Sequence, residues 1–393
     1  MLSSSNASEY RVAFVVPTIF FSPGAAVRIY TEAKSLAQMK CNVEIFTYAK
    51  GQQVTGLTIR RIFLRSPYLR PGPDYHRVYL DGLLALQSWK WIRKSRPMIV
   101  HAHLHEGAVI SKLATKGSHA PIVVDLQGSF AEEIVACGLV KPSGLRHRLF
   151  CAFEESSLRI SDAIICSSPF MKNLLSTRFP DKTIITIPDC IDTSLYRAMP
   201  KSQALLHELR LEAFERIVVY LGTLSRLQGT DVLIESIPKV IVDNPKVGFL
   251  IIGHGIPSLE YYRQGAKRLG IDRHVRFTGQ IDYFRAPEYV ALGDMAVSPK
   301  RLGTQSNAKL LSYMAMGLPT LAFDNTVNRY YLGAYGIYAR EEDPLGFGSV
   351  LAKAIGRIDQ YRVLAESMQK RVRDLFSTHR MGQDLMRVYS DVS

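Results

Sequence analysis

The sequence lacks the features of a cross-linked or membrane-embedded protein. Its five cysteines are odd in number and form no Cys-x-x-Cys pair, which excludes a disulfide framework and indicates reduced thiols. The apolar run at 12–21 is interrupted by Pro17 and is shorter than the ~20 residues of a membrane span. No basic flank precedes Arg11, so we expect no export signal, a cytoplasmic location and only peripheral membrane contact.

The sequence also lacks zinc-finger spacing, RNA-binding aromatic motifs, a long basic tail, readable repeats and low-complexity segments. The first three absences argue against nucleic acid as a partner. What is present is a formal net charge of +14, from 49 Lys and Arg against 35 Asp and Glu. Such a surface attracts anions, so phosphorylated small molecules and acidic membranes are the partner classes that remain.

The length and balance of the chain predict two α/β domains. It has 393 residues, 47% of them hydrophobic and 21% charged, which is globular and longer than one core usually serves. Short β-branched runs alternate with helical patterns at 24–39, 231–242 and 307–316, which predicts mostly parallel sheets. The predicted strands are 11–16, 43–47, 98–101, 122–125, 163–166 and 183–187, then 217–221, 247–252, 275–278, 295–297 and 319–323.

A polar stretch at 193–203 that contains Pro200 is the predicted linker. We therefore expect an N-terminal Rossmann-like domain at 1–195 and a second doubly wound domain at 196–375. Residues 351–392 have a long helical pattern rich in Arg and Lys. Two domains of this kind commonly leave a cleft in which two substrates meet.

Six short motifs in a fixed order resemble those of the family-4 glycosyltransferases, which have the GT-B fold of two Rossmann-like parallel-sheet domains facing a cleft. The resemblance covers nearly the whole chain and is strongest at 187–323. It implies that 1–195 binds the acceptor, that 196–375 binds a nucleotide-sugar donor, and that helix 376–393 packs back on the first domain. The motifs are Ile187-Pro-Asp-Cys-Ile-Asp192, Tyr220-Leu-Gly-Thr-Leu-Ser-Arg-Leu-Gln-Gly-Thr-Asp231, Ile251-Ile-Gly-His-Gly255, Val275-Arg-Phe-Thr-Gly279, Asp294-Met-Ala-Val-Ser-Pro299 and Tyr313-Met-Ala-Met-Gly-Leu-Pro-Thr320.

The turn between Gly222 and Gly229 is the first predicted part of the donor site. Its glycines would let the backbone approach a diphosphate at a helix start. An ordinary strand-to-helix turn is the alternative, because it would have the same sequence pattern. The family usually has Arg directly after the first Gly and Lys directly before the second, where this chain has Thr223 and Gln228. Arg226 is then the candidate cation of the turn, or a solvated side chain.

The second predicted part of the donor site follows residue 299. Two family carboxylates, which grip the donor sugar and the ribose, correspond to Thr304 and Ser312, and neither is acidic. The resemblance and the helix start suggest that backbone N–H groups and cations replace them, unless the segment is only a capped helix start. The candidate donor-binding residues here are Lys300, Gln305, Ser306, Asn307 and Lys309.

Three histidines follow a predicted strand in His101-Ala-His-Leu-His-Glu106, which resembles the family's strand end near the reacting sugar. His103, or else His105, is predicted to orient the donor sugar or acceptor, and a structural role is the alternative. No further Cys or His cluster completes a ligand set, and family-4 enzymes generally need no metal, so we expect neither a metal nor another cofactor.

The acceptor side is predicted from two further segments. Gly24, Ala25 and Arg28 lie in a loop and helix start that resemble the family's glycine-rich loop, although Ala25 stands where a second Gly is common. Gln127 and Gly128 end another strand and are candidates for the acceptor pocket. For Arg28 a solvent-facing position, and for the second segment a capped turn, are the alternatives.

The sequence thus favours a hexosyltransferase that moves a sugar from a nucleoside-diphosphate donor to a glycan, lipid-linked or small-molecule acceptor. Family-4 members retain anomeric configuration, which implies departure and attack on one face of the sugar. The departures from the motifs recommend a different class as the first alternative, a catalytically silent partner of another glycosyltransferase. A sugar-nucleotide epimerase of the same general fold is the second.

Overall fold

The β-branched runs form two parallel sheets in the computed structural model, which describes residues 10–20, 27–64, 76–136, 138, 140–255, 258–301 and 305–393. The chain divides into two compact units. The first contains residues up to Asp189 and the C-terminal residues 378–393, and Gln305 and Ser306 group with it. The second contains residues 190–303 and 307–377.

The first unit is built on a seven-stranded sheet in the order β3-β2-β1-β4-β5-β6-β7. Strands such as Ile99–His103 are buried along their whole length, as expected where helices cover both faces of a parallel sheet. Its elements are β1 (Arg11–Val16), α1 (Val27–Gln38), β2 (Asn42–Thr47), β3 (Thr58–Arg61), α2 (His76–Ser95), β4 (Ile99–His103), α3 (Leu104–Ala114), β5 (Ile122–Leu126), α4 (Phe130–Ala136), α5 (Leu145–Arg159), β6 (Ala163–Cys166), α6 (Pro169–Arg178) and β7 (Thr183–Thr186).

The second unit is built on a six-stranded sheet in the order β10-β9-β8-β11-β12-β13. Apolar clusters on both faces of this sheet form its core. The elements, together with the C-terminal helix α16 of the first unit, are α7 (Gln203–Glu208), β8 (Arg216–Leu221), α8 (Thr230–Asp243), β9 (Val247–Ile252), α9 (Leu259–Arg268), β10 (Val275–Gly279), α10 (Ala286–Val290), β11 (Met295–Ser298), α11 (Lys309–Ala315), β12 (Thr320–Phe323), α12 (Thr326–Leu332), β13 (Ile337–Ala339), α13 (Pro344–Gly356), α14 (Ile358–Arg362), α15 (Ala365–Leu375) and α16 (Thr378–Val392).

Helix α16 packs against α1 within the first unit. Gly382 permits the close approach, because a Cβ there would lie 2.9 Å from the backbone oxygen of Ser35. The apolar face of α16, including Leu385 and Tyr389, is fully buried. The first sheet therefore depends on residues from both ends of the chain.

Two features differ from the sequence-based expectations. The segment 351–392 is not one helix but parts of four, and a break at Phe376 and Ser377 separates α15 from α16. The edge strands β3 and β13 were not predicted.

None of the helices in the described ranges combines the length and apolar character needed to cross a bilayer.

Candidate functional site

The strand order of the second sheet reverses between β8 and β11, and ligands of open α/β folds bind outside the carboxyl ends of strands at such a point. Gly222 directly follows β8 with a φ of 141°, a conformation that side chains rarely adopt. Gly253, at the end of neighbouring β9, has the same φ, and a Cβ there would lie 1.9 Å from the Gly222 oxygen. These glycines hold two strand ends close together.

Gly229 ends the same turn at a position where a side chain would clash with the backbone. Its φ is 72°, and an added Cβ would lie 1.8 Å from the oxygen of Pro299, which follows β11. The N–H groups of Gly222 and Gly229 donate to the oxygens of Ile252 and Arg226. The glycines therefore shape the turn, and their own N–H groups already have acceptors within the protein.

Lys309 begins α11 and lies over this turn. Its Nζ donates to the hydroxyl of Tyr220 at 3.2 Å and to Oε1 of Gln228 at 2.9 Å. The ammonium also lies 4.4 Å from the centroid of the Tyr220 ring, and a Cβ on Gly222 would be 3.0 Å from Nζ. The structure thus brings together two segments, 222–229 and 307–309, that were predicted separately.

Lys309 carries a poorly compensated positive charge. Its hydrogen-bond partners are neutral, and within the described ranges no carboxylate lies within 4 Å of its Nζ. Burial lowers the pKa of Lys309 well below its usual value, and the charge of nearby Lys300 lowers it further. Lys300 follows β11 and is itself 5% exposed. Two neighbouring lysines at a strand-order reversal form a site suited to an anion.

The other predicted donor residues have different surroundings. Arg226 is exposed, with its Nε 3.3 Å from Asp231. Asn307 is buried, and its side chain bonds to Ser298 and Asn328, so it supports the loop between β11 and α11. Thr223 accepts a bond from the Tyr220 hydroxyl through its backbone oxygen.

Gln305 and Ser306 are half-buried and group with the first unit. A Cβ on Gly128 would lie 2.8 Å from Cγ of Gln305, so the glycine leaves room for this side chain. Gln127 is half-buried beside it. The hydroxyl of Ser129 accepts from the Glu132 N–H, which is the capped turn that was the alternative interpretation.

Arg28 does not face solvent but lies in a buried charged cluster of the first unit. Its guanidinium donates to Asp125 at 2.9 Å, to Asp189 at 3.0 Å and to the oxygen of Ile187 at 3.0 Å. Glu32, one turn along α1, has Oε1 3.0 Å from Arg28 Nη2. Gly24 and Ala25 lie outside the described residues.

The pKa values of two carboxylates in this cluster, Asp125 and Glu32, are shifted in opposite directions. Burial by itself would raise the pKa of Asp125, but the Arg28 guanidinium outweighs it and lowers that pKa to about 2. Burial and the negative charge of Asp125 raise the pKa of Glu32 well above its usual value. Asp125 is therefore the main counter-ion of Arg28.

The three histidines are all buried. Nδ1 of His101 lies 2.6 Å from the Tyr389 hydroxyl, and Nδ1 of His105 lies 2.7 Å from that of Ser157. Burial lowers the pKa of His101 and of His105 to about 4, and it lowers that of His103 well below its usual value, so all three are neutral near pH 7. A neutral, fully enclosed His103 supports the sheet edge, and contact with a sugar would require it to become accessible.

Sequence reasoning missed three contributors. Tyr220 was quoted only as part of a motif, yet its ring and hydroxyl hold Lys309. Glu32 and Asp189 complete the cluster around Arg28, but they lie far from Asp125 in sequence and no local spacing connects them.

Comparison with known proteins agrees with this architecture. The glycosyltransferase family 4 model matches residues 23–195, and the model described as glycosyl transferases group 1 matches residues 215–357. Together they leave out only the ends of the chain and a short segment at the junction. The chain belongs to the GT-B glycosyltransferases of the family-4 type.

Individual relatives are distant. The phosphatidyl-myo-inositol mannosyltransferase of Mycolicibacterium smegmatis is 25% identical over 334 residues, which are 83% of this chain and 77% of that protein. Sucrose-phosphate synthase of Thermosynechococcus elongatus has a TM-score of 0.82 at 16% identity, covering 98% of this chain and 99% of that one. HepE of Anabaena, solved with UDP-glucose, has a TM-score of 0.74 at 15% identity, covering 97% and 99%. The solved structures support the fold alone.

Proposed function

We propose that this glycosyltransferase moves a hexose from a nucleoside-diphosphate donor to an acceptor hydroxyl, with retention of configuration. The observation that carries the donor assignment is Lys309, a half-buried lysine with neutral hydrogen-bond partners beside Lys300. An anion next to these lysines would relieve the cost of burying their charge. A diphosphate is such an anion, and the complex of HepE with UDP-glucose adds a donor precedent at the level of the fold.

The chemistry follows from the charge that develops on the leaving group. As the bond from the sugar to the diphosphate breaks, negative charge grows on the departing oxygen, and lysines already in place stabilise it more than the ground state. In a retaining front-face reaction, the same oxygen takes the proton of the attacking hydroxyl. The residues of this step are Lys309, which is held by Tyr220 and Gln228, and Lys300, and no metal takes part.

The residues around Gln228 depart from the usual family pattern. In the family pattern the residue directly before the second glycine is a lysine, and here it is an amide whose oxygen accepts from Lys309 at 2.9 Å. We infer that the cation reaches the same region from α11 instead of from the turn. The loss of the usual lysine is then a replacement and not a loss of activity.

The acceptor is proposed to be bound by the first unit and to be lipid-linked. One support is the inositol-lipid substrate in the name of the mannosyltransferase relative. Another is α5, which exposes Leu145 by 76% and Leu149 by 63%, one turn apart, beside exposed Arg146 and Arg148. Apolar side chains flanked by cations fit the headgroup region of an anionic membrane.

The C-terminal helix α16, which is rich in basic residues, is a weaker candidate for membrane contact. Arg380 and Arg387 of α16 both pair with Asp384, and the apolar face of the helix is buried within the first unit. We therefore place the proposed membrane contact on α5. Pelleting with anionic vesicles should be lost at high salt and in the double variant Leu145→Ser/Leu149→Ser, whereas unchanged pelleting of the variant would refute this placement.

A panel of UDP-, GDP- and ADP-sugars, incubated with acceptor lipids and small acceptors, tests the reaction. We expect release of one nucleoside diphosphate that depends on an acceptor, and a product that keeps the anomeric configuration by NMR. Nucleotide binding without turnover would instead favour the catalytically silent partner. A changed sugar nucleotide formed without acceptor would favour the epimerase.

A further inference from the structure

The end of β4 and the second turn of α1 bring three potential metal ligands together in the first unit. His101 and His103 are two residues apart in a strand, so their side chains point to the same face of the sheet. Glu32 of α1 lies against that face. All three side chains are fully buried, with none exposed to solvent.

The donor atoms of the three side chains lie close together. Oε2 of Glu32 lies 3.9 Å from Nε2 of His101 and 3.6 Å from Nδ1 of His103, and the three atoms lie within 4.8 Å of one another. The imidazole rings are stacked, with centroids 4.6 Å apart and planes inclined by 11°. None of these three atoms has a hydrogen-bond partner among the described residues. Buried polar atoms without a protein partner are rare in folded proteins, so these three atoms are available to a ligand.

The charges of the surrounding cluster favour a cation. Arg28 supplies one positive charge, and Asp125 and Asp189 already bond to it. Glu32 is a third carboxylate in the same buried region. Glu32 and Asp125 both lie against the guanidinium of Arg28, and Asp125 is its main counter-ion. A divalent cation between Glu32 and the two histidines would place positive charge beside the Glu32 carboxylate.

We propose that Glu32, His101 and His103 bind a divalent transition-metal ion, with Zn²⁺ as the best match. Two imidazole nitrogens and one carboxylate oxygen form a ligand set that zinc uses, whereas Mg²⁺ and Ca²⁺ prefer oxygen. Ligand atoms around tetrahedral zinc lie about 3.3 Å apart, so the donors need to approach by less than about 2 Å. The two stacked rings also need to rotate, so that the plane of each ring contains the ion. Nδ1 of His101 already lies 2.6 Å from the Tyr389 hydroxyl, a contact that orients the ring as outer partners of zinc ligands do.

The role of this ion is structural and independent of the transfer reaction. It would join β4 to α1, the helix on which the C-terminal helix α16 packs. The donor lysines belong to the other unit, so loss of the metal and loss of nucleotide binding are separate outcomes. The sequence did not suggest this site, because the histidines lacked a third ligand until Glu32 was brought to them from far along the chain.

Metal analysis of the full-length protein tests the proposal directly. After dialysis against a chelator and addition of zinc, we expect about one tightly bound zinc per chain by elemental analysis. Zinc at 100 times its dissociation constant should raise the ratio of folded to unfolded protein about 100-fold, seen as a higher midpoint of urea unfolding. Both readouts are independent of glycosyl transfer.

Substitution of the proposed ligands tests where the zinc ion binds. Glu32→Gln and His103→Asn should lose the bound zinc and the zinc-dependent rise in midpoint. His119→Asn, which changes an exposed histidine of the same unit, should keep both. The partly exposed pair of Cys151 and His147, with Sγ 3.7 Å from Nε2, is an adventitious zinc site, so every variant is also measured with Cys151→Ala.

Several outcomes would overturn the proposal. One is a Cys151→Ala protein, with all three proposed ligands intact, that shows no saturable zinc binding and no gain in stability from zinc. This result does not depend on whether the other variants fold. Another is Glu32→Gln protein that folds and keeps its zinc. Co²⁺ substitution adds a check, because binding through this set should give an absorption spectrum that His103→Asn abolishes.

Discussion

If Lys309 serves to bind an anion, replacing it by Met should weaken the binding of nucleoside diphosphate without destabilising the unliganded protein. Methionine preserves much of the packing over the Tyr220 ring but removes the charge. Of the three N–H groups on Nζ, one donates to Tyr220 and one to Gln228, which leaves one for a phosphate oxygen. One hydrogen bond to a charged group contributes about 1.5–3 kcal/mol, so the variant should bind nucleoside diphosphate about 10–150-fold more weakly.

The same change should not destabilise the unliganded protein near pH 7. Burial and Lys300 lower the pKa of Lys309, so the unfolded chain binds a proton more readily than the folded one. Wild-type stability therefore rises with pH between that lowered pKa and the ordinary lysine value of about 10.4, and Lys309→Met should lack this contribution. Urea unfolding across that pH range measures the difference.

Calorimetry completes the assay. A diphosphate beside Lys309 raises the pKa of the lysine, so binding takes up protons above the pKa of the free site and weakens as pH rises. Titrations in buffers of different ionisation enthalpy should show this uptake for wild type and not for the variant. Lys239→Met, which removes a lysine paired with Asp243 on α8, is the control and should leave affinity unchanged. A Lys309→Met affinity equal to wild type, or a matched loss of stability and binding, would refute the reasoning.

Three further changes test the supporting structure. Gly229→Ala should destabilise the protein by about 2 kcal/mol or more beyond Gly270→Ala, because both have positive φ but only the first meets a backbone carbonyl; equal losses in thermal unfolding would contradict this. Asp125→Asn should cost about 3–5 kcal/mol, against about 0–1 kcal/mol in the same urea assay for Asp243→Asn, which changes the exposed partner of Lys239. Because the Asp125 pKa falls to about 2, its stabilisation should be present above about pH 4 and lost toward about pH 2. Tyr389→Phe should cost about 1–3 kcal/mol by leaving a buried imidazole nitrogen unpaired, and an unchanged midpoint would oppose that.

Most of the sheet architecture was predictable because buried parallel strands are continuous apolar runs. The edge strands were missed because neither is a long apolar run: β3 is Thr-Ile-Arg-Arg, and β13 has only three residues. The break between α15 and α16 was missed because it has no Gly or Pro. Phe376 is instead buried against the rings of Tyr330 and Tyr331, a tertiary contact that no local pattern reveals.

The candidate donor site was predictable only in part. The glycine turn and Lys309 were found from the family motifs and the helix start, and the structure places them side by side. The surroundings of Asn307 and Arg28 were not readable, because their partners come from distant elements. Sequence indicates which residues follow strands, but the fold decides whether a polar side chain meets solvent or another buried group.

The position of α16 has a consequence for biosynthesis. Residues 378–393 cover a face of α1 that is synthesised more than 300 residues earlier, with Gly382 against Ser35. During translation that face stays open until residues 378–393 have left the ribosome, by which time the whole second unit has been synthesised. A nascent chain stalled ahead of residue 378 should expose the apolar face of α1 and be a preferred client for chaperones.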